Sequence, residues 1–429
     1  MLKKYLVKIK NDNFFKDLFI TFSGQIIVML LSFVLNKIIS NQYSVSDYGI
    51  YSILKRFASV ITFIMLMSMG IAVPKYIAEA KAKKNKRLME SYMVSSLLTI
   101  IIMFVVITAV LIGLDSFWEK FIFNSSNNNR HYMLVICLFS LGNCLVTYAF
   151  SFYRGINEFF KYNLINIVLQ FIFIFATLFV KNSLWMIYCI WGIFTIFYGV
   201  IEIYIIFNKF NFSLKLRRHK LCTLKELIEY SLPRIPGEFV LFAYSLVPLM
   251  IVSYKFGATQ VGYFSAALSI NSLVTPLFSL VGTILLPLVS GSKYNNNEKE
   301  VNKKILILGY IYALVSIFGI VFVYIFGDFL LTLLFNQEYT KSIEIVKIMI
   351  ISILPNAFYL LLRNPLDGKS KFPYNTICLT ISFIIYIILL LFASTIKMCA
   401  FVTIVAYTIL GLMSLFSWLY VIRKEENSL

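Results

Sequence analysis

A chain of 429 residues that is 60% hydrophobic and only 14% charged, with a mean hydropathy of +0.83, cannot cover its own surface in water. This excludes a soluble globular protein and makes a bilayer the solvent. The net charge of +19, from 39 Lys and Arg against 20 Asp and Glu, would suit nucleic acid, but where those charges fall excludes that partner.

The chain opens on the basic segment MLKKYLVKIKNDNFFKD and runs into a long apolar stretch without a cleavage site, which reads as an uncleaved anchor. Segments of about 20 mostly apolar residues predict an all-α polytopic membrane protein of about twelve transmembrane helices. In the first half they fall at approximately 17–39, 50–73, 91–114, 131–153, 163–180 and 184–207. In the second they fall at approximately 226–252, 262–289, 305–326, 343–362, 374–395 and 398–421. Every intervening loop is short, so no soluble domain is expected. The six cysteines match no zinc or redox spacing, and His131 and His219 lie in separate loops, so no metal or cofactor is expected.

On one side of the membrane the loops and termini carry 28 Lys and Arg, and on the other six: Lys120, Arg130, Lys181, Lys255, Lys341 and Lys397. Cytoplasmic loops concentrate positive charge, which puts both termini in the cytoplasm and accounts for the basic composition without nucleic acid. Contact with anionic membrane lipids is a natural consequence. In a cysteine-free variant, a single cysteine at Asn128 is expected to react with an impermeant thiol reagent added outside the cell, and one at Asn296 is not. The reverse pattern would invert the topology.

Shifting the first half by 213 residues places Gly24 on Gly237, Gly49 on Gly262 and Pro74 on Pro287. Arg154 followed by Tyr162-Asn163 is echoed by Arg363 followed by Tyr374-Asn375. The chain thus reads as two six-helix lobes, 1–208 and 226–429, joined by a basic cytoplasmic linker at 209–225. Six spans per repeat enter the membrane in the same sense, which implies a pseudo-two-fold axis along the membrane normal and a transporter arrangement.

Charges inside spans cost roughly 2.5–3.5 kcal/mol each on insertion scales and so mark candidate sites. Lys37 and Lys347 lie near the outer ends of the first and tenth spans, where a long side chain can lift its charge to the interface. Lys55-Arg56 lies one or two turns into the second span, and adjacent helical residues point about 100 degrees apart, so both cannot take the easiest route out. Arg154 and Arg363 end the fourth and tenth spans, placed to grip an anionic headgroup. The seventh span opens Pro233-Arg234-Ile235-Pro236-Gly237-Glu238, a helix-breaking run tolerated at depth only in protein or against a wet cavity. Arg234 and Glu238 share a helix face there, as an internal ion pair or as a cavity-facing pair. Glu238 is the leading ion-coupling candidate, with Asp17 second. Gln25, Asn143, Gln170, Asn271 and Asn356 read as contacts between helices. The surplus of basic charge suits an anionic cargo, and arginine can bind a diphosphate through paired hydrogen bonds.

Four segments carry a family resemblance: Asp47-Tyr48-Gly49-Ile50-Tyr51-Ser52, Gly70-Ile-Ala-Val-Pro74-Lys-Tyr-Ile, Arg154-Gly155-Ile-Asn157-Glu-Phe, and Ser231-Leu-Pro233. They resemble the Wzx-type O-antigen and capsule flippases of the multidrug/oligosaccharidyl-lipid/polysaccharide exporter superfamily. The resemblance implies a two-lobed, MATE-like exporter fold with a cationic central cavity in the bacterial inner membrane. It implies an undecaprenyl-pyrophosphate-linked oligosaccharide as cargo, moved from the cytoplasmic to the periplasmic leaflet by alternating access, with inward proton flow as the candidate coupling. A polysaccharide polymerase and a chain-length regulator are the candidate protein partners. The alternatives are a drug or cation extruder of the same superfamily, which would want an acidic cavity, and a membrane polysaccharide polymerase, which would want a large outer loop or an acidic catalytic cluster.

Overall fold

The computed structural model describes residues 13–114, 117–118, 130–180, 183–213, 218–232, 235–273, 298–370 and 372–426, with residues 275, 278, 285 and 289, and of these the side chains from Phe19 onward apart from those at 130–131, 218–222 and 425–426. No strand occurs among the described residues. Lipid offers no partner to a backbone N–H or C=O, so a chain this apolar satisfies them within each segment, as helix.

In chain order the helices are α1 (Asn13–Gln42), α2 (Val45–Leu66), α3 (Met69–Ala82), α4 (Lys86–Gly113), α5 (Arg130–Gly155), α6 (Phe159–Phe179), α7 (Leu184–Phe210) and α8 (Arg218–Ser231). There follow α9 (Ile235–Phe256), α10 (Ala258–Asn271), α11 (Glu298–Leu334), α12 (Ile343–Met349), α13 (Ile353–Lys369), α14 (Tyr374–Phe392) and α15 (Ile396–Glu426). The 3₁₀ turns Gln337–Ser342 and Ile350–Ser352 join α12 and α13 into one span, Gln337–Lys369. Eleven helices among the described residues are long and apolar enough to cross a membrane, and they coincide with eleven of the twelve expected spans. The expected eighth span, 262–289, begins in α10 and then passes outside the described residues.

Two spans differ from the sequence reading. The second starts five residues earlier than expected, at Val45, and stops at Leu66. There Met67 (φ +45°) and Ser68 (φ +58°) both turn left-handed, and α3 sets off afresh. Pro74 lies inside α3, so the expected 74–90 loop is helical as far as Ala82. The second difference is in the seventh span, expected as one run from 226. α8 ends at Ser231 and α9 begins at Ile235, with Pro233 and Arg234 between them outside the described residues. Pro236 sits in the first turn of α9, where its missing N–H costs no helical hydrogen bond.

The chain divides into two compact units. The first holds the described residues of Met1–Gln42 and Leu54–Ile235, and the second those of Tyr43–Ile53 and Pro236–Leu429. In the first, α1 packs on α6 at Gly24, where a β-carbon would fall 2.5 Å from the Asn163 side chain. Ser32 donates to Gln170 across the same pair of helices at 3.4 Å. Trp191, fully buried, stacks against Phe173 at 4.8 Å and donates to its carbonyl at 3.2 Å. The basic segment ahead of the seventh span docks as α8: Thr223 pairs with Ser95 at 2.9 Å, Tyr92 donates to Glu226 at 2.6 Å, and Lys75 lies 3.9 Å above the Tyr230 ring.

The second unit is built on α9 to α15 together with the first turns of α2. Tyr48, Phe335 and Tyr339 form a buried aromatic cluster with ring centroids 5.2–5.6 Å apart. Tyr244 of α9 sits against Phe383, Tyr386 and Tyr407. Asn271 donates to Ser352 at 2.9 Å, one of the expected contacts between helices. Lys255, expected as a loop charge, donates to the carbonyls of Leu391 at 2.8 Å and Ala393 at 2.5 Å, capping the C-terminus of α14.

Candidate functional site

Lys55-Arg56 is a pair of adjacent basic residues inside a helix long and apolar enough to cross a membrane. Because α2 starts at Val45, the pair lies ten residues in, roughly 15 Å along the helix axis and midway along its 22 residues. This is deeper than the one or two turns expected from the sequence. Both side chains are half-buried, flanked by the fully buried Leu54 and Ala58.

About three turns beyond the pair comes the left-handed break at Met67-Ser68. Non-glycine residues in this conformation cost of order 1–3 kcal/mol and cluster at functional sites. The Ser68 hydroxyl is buried and makes no hydrogen bond. Ser68→Gly removes both the steric penalty and the orphaned hydroxyl, and is expected to stabilise the protein by about 1 kcal/mol. The check is thermal unfolding of the purified protein. A lower melting temperature would show that the hydroxyl has a use in the folded state that strain alone does not explain.

The other expected site residues are dispersed. Lys37 is half-buried on α1, five residues before its end, and Arg154 is exposed in the last turn of α5. Arg363 is half-buried on α13 in the second unit, and Glu238 half-buried in the first turn of α9. An acidic side chain there suits the positive end of the helix dipole. The Asp17 side chain and Arg234 lie outside the described residues. Among the described residues no cluster of His, Cys, Asp or Glu could hold a metal ion.

Three of the four segments that carried the resemblance are explained by packing. Ser44 caps α2: its hydroxyl accepts from the Asp47 N–H at 3.2 Å and donates to the Asp47 carboxylate at 2.7 Å. Tyr48 fills the aromatic cluster, and Gly49 lets α2 touch α10. At that crossing a β-carbon on Gly49 would strike the Ala258 carbonyl, and one on Gly262 the Val45 carbonyl. Val45 and Ala258, like the two glycines, are 213 residues apart. The contact therefore maps onto itself under the internal repeat, a local two-fold that the shared punctuators alone did not reveal.

Gly155 does similar work near the end of α5. Its hypothetical β-carbon falls 3.0 Å from the Pro74 Cα and 2.9 Å from Ile77, so the Gly70–Pro74 and Arg154–Gly155 segments meet each other. Lys81 caps this end of α5 through the Ile156 carbonyl at 2.5 Å, and Asn157 turns the chain with φ +60°. Glu158 then pairs with Lys161 at 3.0 Å and Lys209 at 3.3 Å. Burial raises the Glu158 carboxyl, but these two ammonium groups outweigh it and hold it below the usual carboxylate range.

Sequence reasoning missed a polar cluster in the second unit. Asn375 donates to the Arg363 carbonyl at 2.6 Å and to Asp367 at 2.7 Å, locking α13 to α14. One turn below Arg363, Tyr359 is buried with no hydrogen-bond partner for its hydroxyl among the described residues. Aromatic residues are so frequent in this chain that this tyrosine does not stand out in the sequence.

The amino-acid sequence matches the profile of the polysaccharide biosynthesis protein family over residues 14–293, about two thirds of its length, and the MatE profile over residues 233–392. The chain belongs to the polysaccharide biosynthesis protein family. Solved structures agree on the fold of this family member. An inward-facing multidrug resistance MATE family transporter of the MOP superfamily superposes with a TM-score of 0.77 at 12% identity, over 94% of this chain and 96% of that one. The lipid II flippase MurJ, in an inward closed conformation, gives 0.74 at 15% identity over 93% and 86%. An outward-facing MATE transporter gives 0.67 at 12% identity over 96% of each. At such identities the likeness is one of fold, and it gives this polysaccharide biosynthesis protein a MATE-like all-helical fold. No curated protein matches the sequence.

Proposed function

We propose that the protein is a flippase for a diphosphate-linked polyprenyl oligosaccharide of the O-antigen or capsule type, moving it by alternating access from the cytoplasmic to the outer leaflet of a bacterial inner membrane. The observation that carries this reading is the basic pair Lys55-Arg56 midway along the membrane-spanning helix α2. Membership of the polysaccharide biosynthesis family and the shared fold with a lipid II flippase support it. A diphosphate headgroup is complementary in charge to such a pair. With an inside-negative potential, each net negative charge moved outward gains about 2.3 kcal/mol per 100 mV.

Extrusion of cationic drugs is the second reading, favoured by the MatE match over 233–392. It would require the cavity to attract cations, against the basic charge at depth. The two readings separate in a strain from which the gene is deleted and replaced by a Lys55→Gln/Arg56→Gln variant. The flippase reading expects loss of surface polysaccharide, build-up of lipid-linked units in the inner leaflet and unchanged drug susceptibility. Normal polysaccharide from a variant present in the membrane at normal level would reject it.

A further inference from the structure

We propose that the second unit carries a binding site for an anionic phospholipid of the phosphatidylglycerol class, in the groove between α11, α13 and α15. This inference is independent of the cargo. The groove encloses about 570 Å³, within the range of small-molecule sites. Its walls are apolar, from Leu306 and Tyr310 on α11, Phe358 on α13 and Trp418 on α15. Gly309 keeps it open: a β-carbon there would meet nothing nearer than Leu361 at 3.7 Å. The glycine is therefore not required by packing, and a larger residue would enter the groove.

The polar end of the groove has two groups that lack partners. Asn302 lines it with its side-chain oxygen buried and without a hydrogen bond. Lys303, also lining it, is exposed and makes no ion pair among the described residues, whereas its neighbour Lys304 is held by Glu300 at 2.6 Å. The Lys369 ammonium lies 5.4 Å from the Trp418 ring centroid, and α15 continues from Ile422 into Arg423 and Lys424. The charge asymmetry of the loops assigns this end to the cytoplasmic side, where anionic lipids accumulate and basic mouths between helices take their headgroups.

The chemistry selects the headgroup. Lys303 is a counter-charge for the phosphate, and the Asn302 oxygen needs an O–H donor such as a glycerol hydroxyl. Choline offers neither a net negative charge nor a donor. The acyl chain then lies between Phe358 and Trp418, with the indole at the depth of the glycerol backbone, where tryptophans of membrane proteins concentrate.

Trp418 provides the readout. Quenching of the purified full-length protein in mixed micelles by phosphatidylglycerol brominated on its acyl chains is compared with quenching by brominated phosphatidylcholine. The Trp418 contribution is the difference from a Trp418→Phe variant. Half-quenching by the anionic lipid is expected at a mole fraction about fivefold lower. Lys303→Gln, an exposed substitution, should abolish that preference, and Gly309→Leu should remove Trp418 quenching by both lipids. Equal quenching by the two lipids, or a preference untouched by Lys303→Gln, would overturn the proposal. So would relief of quenching by unlabelled polyprenyl phosphate at a lower mole fraction than by unlabelled phosphatidylglycerol, because the groove would then be a site for the cargo's tail.

Discussion

Gly262→Ala is expected to destabilise the protein by about 3 kcal/mol, at the top of the range for an overpacked site. The added methyl falls on the Val45 carbonyl oxygen and 3.0 Å from its carbonyl carbon, and both are backbone atoms that no rotamer change can move. The α2–α10 crossing must open along its whole first turn. Gly49→Ala should cost a similar amount, since its β-carbon meets the Ala258 carbonyl and comes within 2.8 Å of the Gly262 nitrogen. The two changes should be less than additive, because helices already parted by one methyl leave room for the second. Gly319→Ala is the control. Nothing lies within 4 Å of a β-carbon there, and the change should stay within about 0.5 kcal/mol of wild type. Thermal unfolding in detergent measures all four. A melting temperature for Gly262→Ala equal to that of Gly319→Ala would mean that the crossing is looser than described.

Arg234→Ala is expected to abolish polysaccharide export while the protein remains in the membrane. Arg234 immediately precedes α9, and Glu238, four residues on, is in the first turn of that helix. A guanidinium that grips a diphosphate through paired hydrogen bonds is only partly replaced by an ammonium, so Arg234→Lys should retain some export. If Arg234 instead only neutralises Glu238, removing it leaves a carboxylate uncompensated, and breaking a buried pair in this way costs roughly 3–5 kcal/mol. The amount of protein would then fall, and Arg234→Ala/Glu238→Ala would restore both protein and export. The cargo role expects export to fail in the single and the double variant alike. Surface polysaccharide divided by membrane-inserted protein is the quantity to measure, and full recovery by the double variant would assign the pair to folding alone.

The spans were legible because a bilayer imposes one rule on every segment, about 20 apolar residues, and a chain this hydrophobic meets it plainly. The family was legible through short motifs, although their residues turn out to be packing devices: Ser44 and Asp47 cap a helix, and Gly155 admits Pro74. The break at Met67-Ser68 was not legible, since neither residue type favours the left-handed region and Gly70 and Pro74 nearby lie inside a regular helix. The depth of Lys55-Arg56 was misjudged for a related reason. The start of α2 is set by the Ser44 cap, a local signal that a hydropathy window averages away. The role of Lys255 was also hidden, because its three acceptor carbonyls are contributed by a helix that ends more than 130 residues later. The site was least legible of all, since a basic side chain in a span reads alike whether it faces a cavity or the lipid.

The most direct measurement is translocation by the purified protein in vesicles that hold a fluorescent short-chain polyprenyl-diphosphate oligosaccharide. A saccharide-cleaving enzyme added outside reports the fraction of cargo exposed, with a cationic dye followed in parallel under the same imposed potential. The flippase account predicts that cargo exposure accelerates when the protein is present, that Lys55→Gln/Arg56→Gln returns it to the protein-free rate, and that the dye is not moved. Dye extrusion with no change in the rate of cargo exposure would contradict it.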